Sequence, residues 1–115
     1  MIVYLAGQYR APTILGVTLN IYCAWKAAKR LWRAGFVVIC PHSNSAFMGE
    51  LFSPIHGQVF LEGDLELVRK SDALFAMPGW RRSAGACGEI GEGRRYKIPI
   101  FYNIEELIAW RNQNT

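Results

Sequence analysis

Long hydrophobic runs are missing from this sequence, in which no apolar stretch approaches the ~18 residues that a membrane-spanning helix needs. The first ten residues also lack both marks of a signal peptide, a basic segment before the apolar stretch and small residues at a cleavage site after it. We therefore expect a cytoplasmic protein with no membrane partner, whose first residues form a strand.

Cysteine and histidine are scarce, with three cysteines and two histidines in the chain. Cys23, Cys40 and Cys87 are far apart and form no CxxC pair, which argues against a disulfide framework and against structural zinc. His42 lies close to Cys40, but His56 stands alone, and structural zinc usually needs four well-spaced ligands. We expect no metal and no cofactor.

Charged residues are few, at 19%, whereas 51% of the residues are hydrophobic, a balance typical of a folded globular chain. The length of 115 residues predicts a single domain that covers 1–115. The net charge of +4 favours an anionic partner, either nucleic acid or a phosphorylated small molecule. Ordinary solvated lysines and arginines explain the same surplus, because the basic residues are spread over two helices.

Four short runs are nearly all apolar and show no alternation of polar and apolar residues, which is typical of parallel strands buried on both faces. They are Ile2–Ala6, Phe36–Cys40, Ala73–Met77 and Ile98–Tyr102. Amphipathic segments predict helices from Ile21 to Gly35, from Gln58 to Lys70, from Ser83 to Tyr96 and from Ile104 to Asn112. This order predicts an α/β fold, a three-layer sandwich around a small parallel flavodoxin- or Rossmann-like sheet with strand order 2-1-3-4.

The first of these helices is predicted from an apolar stripe that includes Ile21, Trp25 and Trp32. Its lysines and arginines fall on the outside of the helix. Either Thr18 or Asn20 would cap its start.

Ligands bind outside the carboxyl ends of the strands in such sheets, near the point where the strand order reverses. The segments that follow the first three strands are Gly7–Arg10, Pro41–Asn44 and Pro78–Ser83, and we expect them to frame a binding site. The stretch 43–57 is long for a connection and contains five large apolar residues. It is a lid over this site, part of a dimer interface or a short buried helix.

The second predicted helix carries a carboxylate on its apolar face. At 100° per residue, Asp64 lies between Phe60 and Val68, whereas Glu62 and Glu66 lie on the opposite side. A buried carboxylate is costly unless it is paired or hydrogen-bonded. Asp64 is therefore either a structural residue that caps a nearby loop or an acid delivered into a site.

The third predicted helix repeats this anomaly with Glu89, which shares its face with Gly85, Gly93 and other small residues. Small residues allow tight packing of the helix on the sheet, and they also leave room for a ligand beside the carboxylate. Ser83 is a natural N-cap, and the free N–H groups that follow it are a ready anion site.

Two inward carboxylates near the ends of the strands fit the chemistry of a glycosidic bond. One would act as the nucleophile at an anomeric carbon, and the other would handle the proton or hold the sugar. The same pair would also fit a divalent metal bound together with a phosphate. The spacing of the residues does not decide between the two.

Four segments of the chain, in order, resemble those of the nucleoside 2-deoxyribosyltransferases and of the related 2′-deoxynucleoside 5′-monophosphate N-hydrolases. The matching residues are Tyr4-Leu5-Ala6-Gly7 with Arg10, then Pro41-His42, then Asp64-Leu65-Glu66 with Ser71-Asp72, and last Ser83-x-Gly85-x-x-x-Glu89. The form Gly79-Trp80-x-x-Ser83-x-Gly85-Ala86 is similar to an uncharacterised phage and bacterial branch of this superfamily. Gln8 and Ala11-Pro12 replace the small residues that the monophosphate hydrolases carry after the first strand.

The resemblance implies cleavage of an N-glycosidic bond through a covalent glycosyl-enzyme, with water or a second base as the acceptor of the sugar. It implies Glu89 as the nucleophile and Asp64 as the residue that binds the sugar and assists proton transfer. It also implies a homodimer or larger homo-oligomer, because family members complete the pocket with a neighbouring subunit. We expect the substrate to contact Tyr4, Gly7, Gln8, Tyr9, Arg10, His42, Trp80, Ser83 and Gly85.

Two other classes of function remain open from the sequence. A nucleotide-sensing module without catalysis would use the same scaffold, because a fold does not fix a function. Nucleic-acid binding rests only on the net charge and the basic first helix, and we rank it last.

Overall fold

One parallel sheet lies at the centre of the part of the chain that the structure, a computed structural model, describes: residues 1–48 and 56–115. Its strands are β1 (Ile2–Ala6), β2 (Val37–Ile39), β3 (Ala73–Ala76) and β4 (Ile100–Phe101). The helices are α1 (Ile14–Arg33), α2 (Pro41–Asn44), α3 (Gly57–Arg69), α4 (Ala84–Arg95) and α5 (Ile104–Gln113), and a 3₁₀ turn spans Trp80–Arg82.

The strand order is β2-β1-β3-β4 with every pair parallel, which confirms the predicted topology. The residue Val3 at the centre of the sheet pairs with Val38 on one side and Ala73 on the other. Parallel strands end on the same edge of a sheet, so the segments that follow β1, β2 and β3 lie near one another.

Helices cover both faces of the sheet, which confirms the three-layer α/β sandwich. On one face, Val3, Leu5 and Phe36 pack with buried residues of α1 and with Leu107 of α5. On the other face, side chains of β1 and β3 pack with Val68 of α3 and with buried residues of α4. Alternate residues of each strand point to opposite faces, so a strand buried on both sides has an unbroken apolar sequence.

The first helix begins seven residues earlier than the sequence predicts. Thr13 is its N-cap, and the Thr13 hydroxyl accepts a hydrogen bond from the Gly16 N–H at 3.1 Å. Thr18 lies inside the helix and donates to the Ile14 carbonyl at 2.8 Å, while Asn20 Nδ2 donates to the Tyr9 carbonyl at 3.0 Å. The prediction was wrong because Leu15 and Leu19 are exposed and break the apolar stripe at this end.

Trp25 and Trp32 lie outside the buried stripe of α1, with 48% and 53% of their surfaces exposed. The residues that pack against the sheet are Ala24, Ala28 and Leu31. Two alanines allow the helix to approach the strands closely. The tryptophans lie about one helical turn before and after Ala28, and their side chains lie on the flank of the helix. The prediction that both tryptophans lie on the buried face of the helix is therefore wrong.

The other three predicted helices begin and end within one residue of their predicted limits, whereas α2 was not predicted. The stretch 43–57 is only partly described: α2 ends at Asn44, and Phe47 adopts a positive φ of 62° while its N–H donates to the Tyr9 hydroxyl at 3.0 Å. The predictions of a lid, a dimer interface or a buried helix depend on residues 49–55, which lie outside the described residues.

Candidate active site

A cavity of about 630 Å³ opens at the carboxyl ends of the strands. Its walls come from the segment after β1, from α2, from the first turns of α3 and from the start of α4. The lining residues are Gly7, Gln8, Tyr9, Arg10, Ala11, Val17, Pro41, His42, Ser45, Gly57, Phe60, Leu61, Asp64, Arg82, Ser83, Ala84, Gly85, Ala86 and Glu89. Both carboxylates that the sequence singled out therefore lie on the same cavity.

Glu89 lies at the inner end of this cavity, with only 7% of its surface exposed. Helix α4 delivers it from its N-terminus, where Ser83 caps the helix by accepting a hydrogen bond from the Ala86 N–H at 3.1 Å. The helix can lie close to the sheet because Gly93 has no side chain, and a Cβ there would come within 3.0 Å of Leu74 Cδ2.

Tyr4 holds the Glu89 carboxylate from the centre of the sheet. It is fully buried on β1, and its hydroxyl donates a short hydrogen bond to Glu89 Oε2. Burial and the neighbouring Glu89 raise the pKa of the Tyr4 hydroxyl, so Tyr4 remains a donor at every working pH. Tyr4 is expected from the sequence to contact the substrate, but it does not line the cavity, and its hydroxyl contacts Glu89 instead.

Both carboxylates have raised pKa values. Burial raises the pKa of Glu89 to about 8, the hydrogen bond from Tyr4 acts in the opposite direction, and the charge of Asp64 adds to the rise. Burial alone raises the pKa of the half-buried Asp64 to about 6. Near neutral pH the pair therefore keeps a proton mainly on Glu89 while Asp64 is largely ionised.

Helix α3 places Asp64 in the opposite wall of the cavity, beside the apolar side chains of Phe60 and Leu61. The helical periodicity of the sequence predicts that Phe60 and Leu61 lie on the same face as Asp64. No group of three histidine, cysteine, aspartate or glutamate side chains close enough to hold a metal occurs among residues 1–48 and 56–115.

The segment after β1 is joined to α2 through His42. His42 Nε2 lies 2.8 Å from the Gln8 carbonyl oxygen, and burial lowers the pKa of the imidazole. The neutral ring therefore donates from Nε2, a tautomer assigned from this contact. Tyr9 packs edge-on against the same ring, with the centroids 5.7 Å apart. His42 fixes the loop that carries Gln8 and also lines the cavity.

Two guanidinium groups supply positive charge to the cavity lining. Arg10 passes over Gly57 so closely that a Cβ at that position would collide with Arg10 Nη2. Arg82 lies against Gly79, whose φ of 86° is strained for any residue with a side chain, and Arg82 Nη2 would be 3.0 Å from a Cβ there. From the sequence, Arg82 would either reach a phosphate or be solvated, and its place after β3 is the signal for the first role.

Trp80, like Tyr4, is a predicted contact residue that does not line the cavity. It is buried beneath the 3₁₀ turn, and its ring lies 6.3 Å from that of Tyr102. Trp80 follows Gly79, which has a left-handed conformation, and packs with buried side chains of β1 and β3. The other predicted contacts, Gly7, Gln8, Tyr9, Arg10, His42, Ser83 and Gly85, all line the cavity.

Comparison with known proteins relates this fold to an enzyme. No family model matches the sequence, and no curated protein matches it. A solved 2-deoxyribosyltransferase from the bacterium Bacillus psychrosaccharolyticus, described as a biocatalyst for the synthesis of nucleosides, is similar in structure, with a TM-score of 0.64 and 18% sequence identity. The match covers 87% of this chain and 69% of that chain. The chain thus has the fold of a deoxyribosyltransferase, and none of its described helices is long and apolar enough to cross a membrane.

Proposed function

We propose that this protein cleaves the N-glycosidic bond of a deoxynucleoside or its 5′-monophosphate. The observation that carries the proposal is the pair of carboxylates, Glu89 and Asp64, on one cavity at the carboxyl ends of the strands. The similarity of fold to a 2-deoxyribosyltransferase supports the same class of reaction. We further propose that residues 1–115 form one domain of this kind, at work in the cytoplasm, where its three free thiols would stay reduced.

The reaction takes two steps, each with inversion at C1′, so that Glu89 attacks the face opposite the base and the acceptor attacks the face that the base has left. In the first, a carboxylate oxygen of Glu89 forms a bond to C1′ while the bond from C1′ to the base nitrogen breaks. The base leaves with the bonding electron pair and takes a proton from Asp64. In the second, water or another base attacks C1′, Asp64 accepts the proton of the attacking group, and Glu89 is released as a carboxylate.

Tyr4 positions the nucleophile and favours its ionised form. We expect Tyr4→Phe to raise the pKa of Glu89 further, because a donor to the carboxylate is lost, and to lower kcat/KM for base release about tenfold at pH 7. The loss should shrink as the pH is raised. Tyr102→Phe, which removes an exposed hydroxyl that accepts from Arg94, is the control and should stay within about twofold of wild type. A loss in Tyr4→Phe that is the same at every pH would contradict this role.

The 5′ end of the substrate belongs at the start of α4, beside Ser83 and Arg82. Free N–H groups at a helix N-terminus and a guanidinium favour an anion, so we propose that a 5′-monophosphate is preferred over the nucleoside.

Arg82→Gln tests this preference. We expect kcat/KM for a deoxynucleoside 5′-monophosphate to fall about tenfold or more, while that for the nucleoside is unchanged. Arg81→Gln is a matched control, because the Arg81 guanidinium lies over the Trp80 ring at 4.9 Å and does not line the cavity. Equal losses for both substrates would count against a phosphate contact.

A nucleotide sensor is the second candidate, and the raised pKa of Glu89 is the observation that favours it, because a protonated carboxyl is a poor nucleophile. Incubation with each deoxynucleoside and monophosphate, followed by chromatography for free base, separates the two functions when binding is measured on the same samples. Base release supports the enzyme, and binding without any release supports the sensor.

We also propose a homodimer that closes the mouth of the cavity. Ile14 and Leu15 at the start of α1 and Val59 at the start of α3 are exposed next to residues that line it. A neighbouring copy packed on these side chains would bury them and narrow the entrance, and sedimentation of the wild type measures this association directly.

A further inference from the structure

The net charge of the protein lies on a single helix. The chain has 13 lysines and arginines against 9 aspartates and glutamates, and 4 of the basic residues lie on α1, which has no acidic residue. The remainder of the chain is therefore neutral, with nine residues of each sign. All four cations, Lys26, Lys29, Arg30 and Arg33, fall in the second half of the helix, within about 10 Å along its axis.

Exposed aromatic rings lie among these cations. Tyr22, Trp25 and Trp32 have 53%, 48% and 53% of their surfaces exposed. The rings of Tyr22 and Trp25 are stacked, with centroids 6.4 Å apart and planes 25° apart. Lys26 Nζ lies 5.5 Å from the Tyr22 centroid, and Lys29 Nζ lies 4.5 Å from that of Trp25. Aromatic faces and positive charge therefore share one surface, which we call the α1 surface.

A groove runs beside this surface at the open edge of the sheet. Its volume is about 510 Å³, and Trp25, Lys29 and Trp32 line it together with Val38 and Asn44. Strand β2 is the outer strand of the sheet, so no further strand covers this edge among the described residues. The groove is separate from the cavity that holds Glu89 and large enough to admit a planar base.

We propose that the α1 surface binds single-stranded nucleic acid. Lysines and arginines would neutralise successive phosphates, and unpaired bases would stack on Trp32 and enter the adjacent groove, as is general for surfaces that combine positive charge with exposed aromatic rings. A duplex fits less well, because its bases are already stacked on one another. A second copy of the chain also fits less well, since α1 packed on α1 would bring together two basic segments that contain no acidic partner.

Fluorescence anisotropy with labelled oligo-deoxythymidylate of about 20 nucleotides tests the proposal. We expect the logarithm of the association constant to fall with the logarithm of salt concentration, with a slope of about −3 if all four cations contact phosphates. The double variant Lys29→Gln/Arg33→Gln should weaken binding at least about tenfold at low salt and reduce the slope by about half. Trp32→Ala should weaken binding about fivefold or more and leave the slope unchanged.

The matched control is Arg95→Gln/Lys97→Gln, which removes the same charge from exposed residues at the end of α4 and should bind like wild type. Equal weakening in this control would overturn the proposal, because it would show attraction to net charge alone. Tighter binding to poly-glutamate or to phosphatidylserine vesicles than to the oligonucleotide would also overturn it, as would a dimer that Trp32→Ala converts to monomers. Glu89→Gln should bind the oligonucleotide normally whether or not the protein releases a base, so the two proposals fail independently.

Discussion

Replacement of Glu89 by glutamine is expected to abolish base release and at the same time to stabilise the fold. The amide keeps the size of the side chain and an oxygen that accepts from the Tyr4 hydroxyl, but it cannot attack C1′. We expect kcat to fall by about three orders of magnitude or more, as is usual when a nucleophile is removed. Chromatography of free base over long incubations measures the residual rate.

The stabilisation follows from the raised pKa of Glu89. The native state holds the proton up to a pH of about 8, whereas the unfolded chain releases it near 4.5, so the native state binds more protons between these values. The contribution of Glu89 to the free energy of unfolding is therefore fully present below pH 4.5 and is lost as the pH rises through 8. Glutamine does not ionise, so Glu89→Gln should be more stable than wild type by on the order of 3 kcal/mol at pH 7, and by little at pH 4.

Glu92→Gln is the matched control on the same helix. Glu92 accepts a hydrogen bond from Arg69 Nε of α3 at 2.7 Å and does not line the cavity. We expect this variant to keep its activity and to gain no stability at neutral pH. Normal turnover in Glu89→Gln would show that Glu89 is not the nucleophile. Urea titrations measure the difference in the free energy of unfolding between Glu89→Gln and wild type, and the same difference at pH 4 and pH 7 would contradict the raised pKa of Glu89.

The positions of Asp64 and Glu89 on one cavity could be predicted because each breaks a local pattern. The 100° step of a helix places each carboxylate among apolar or small residues, and this periodicity does not depend on tertiary contacts. The two central strands, β1 and β3, could be predicted for a similar reason, because burial on both faces leaves an unbroken apolar run.

The contacts of Tyr4 and Trp80 could not be predicted in this way. The Tyr4 hydroxyl meets a carboxylate 85 residues away in the sequence, and the meeting depends on the register of β1 and on the close approach of α4 that Gly93 allows. Trp80 follows a glycine with a positive φ, and its burial depends on contacts with β1 and β3, which are distant in the sequence. Neither fact has a periodic signal in the sequence.

The start of α1 was predicted wrongly for a different reason. The prediction requires an amphipathic helix to bury its large apolar residues, but α1 exposes Leu19, Tyr22 and both tryptophans. Two of its four buried residues are alanines. A helix that packs closely on a sheet needs small residues at the contact, and its large residues then serve its outer surface. The large side chains whose exposure was not predicted are also the ones that make the α1 surface a candidate for binding.

Asp64→Asn is expected to change the pH profile of base release as well as its rate. In wild type, the two carboxyl groups must carry one proton between them. When the bond to the base breaks, that proton must be on Asp64, and Glu89 must be ionised. The pair carries a single proton between pH values of about 6 and 8, so kcat/KM should be bell-shaped with limbs near these values, which belong to the pair and not to either residue. Developing positive charge at C1′ favours ionised Glu89 and drives the proton toward Asp64.

Asparagine cannot supply that proton and no longer repels the Glu89 carboxylate. We expect kcat/KM to fall by about two orders of magnitude or more. The alkaline limb should disappear, and the acid limb should report Glu89 alone at a pH below 8, because the charge of Asp64 is one of the causes that raise the pKa of Glu89. Glu62→Gln, on the exposed side of the same helix, should keep the bell-shaped profile. An Asp64→Asn variant within about twofold of wild type, or one that retains both limbs, would show that the proton comes from another group.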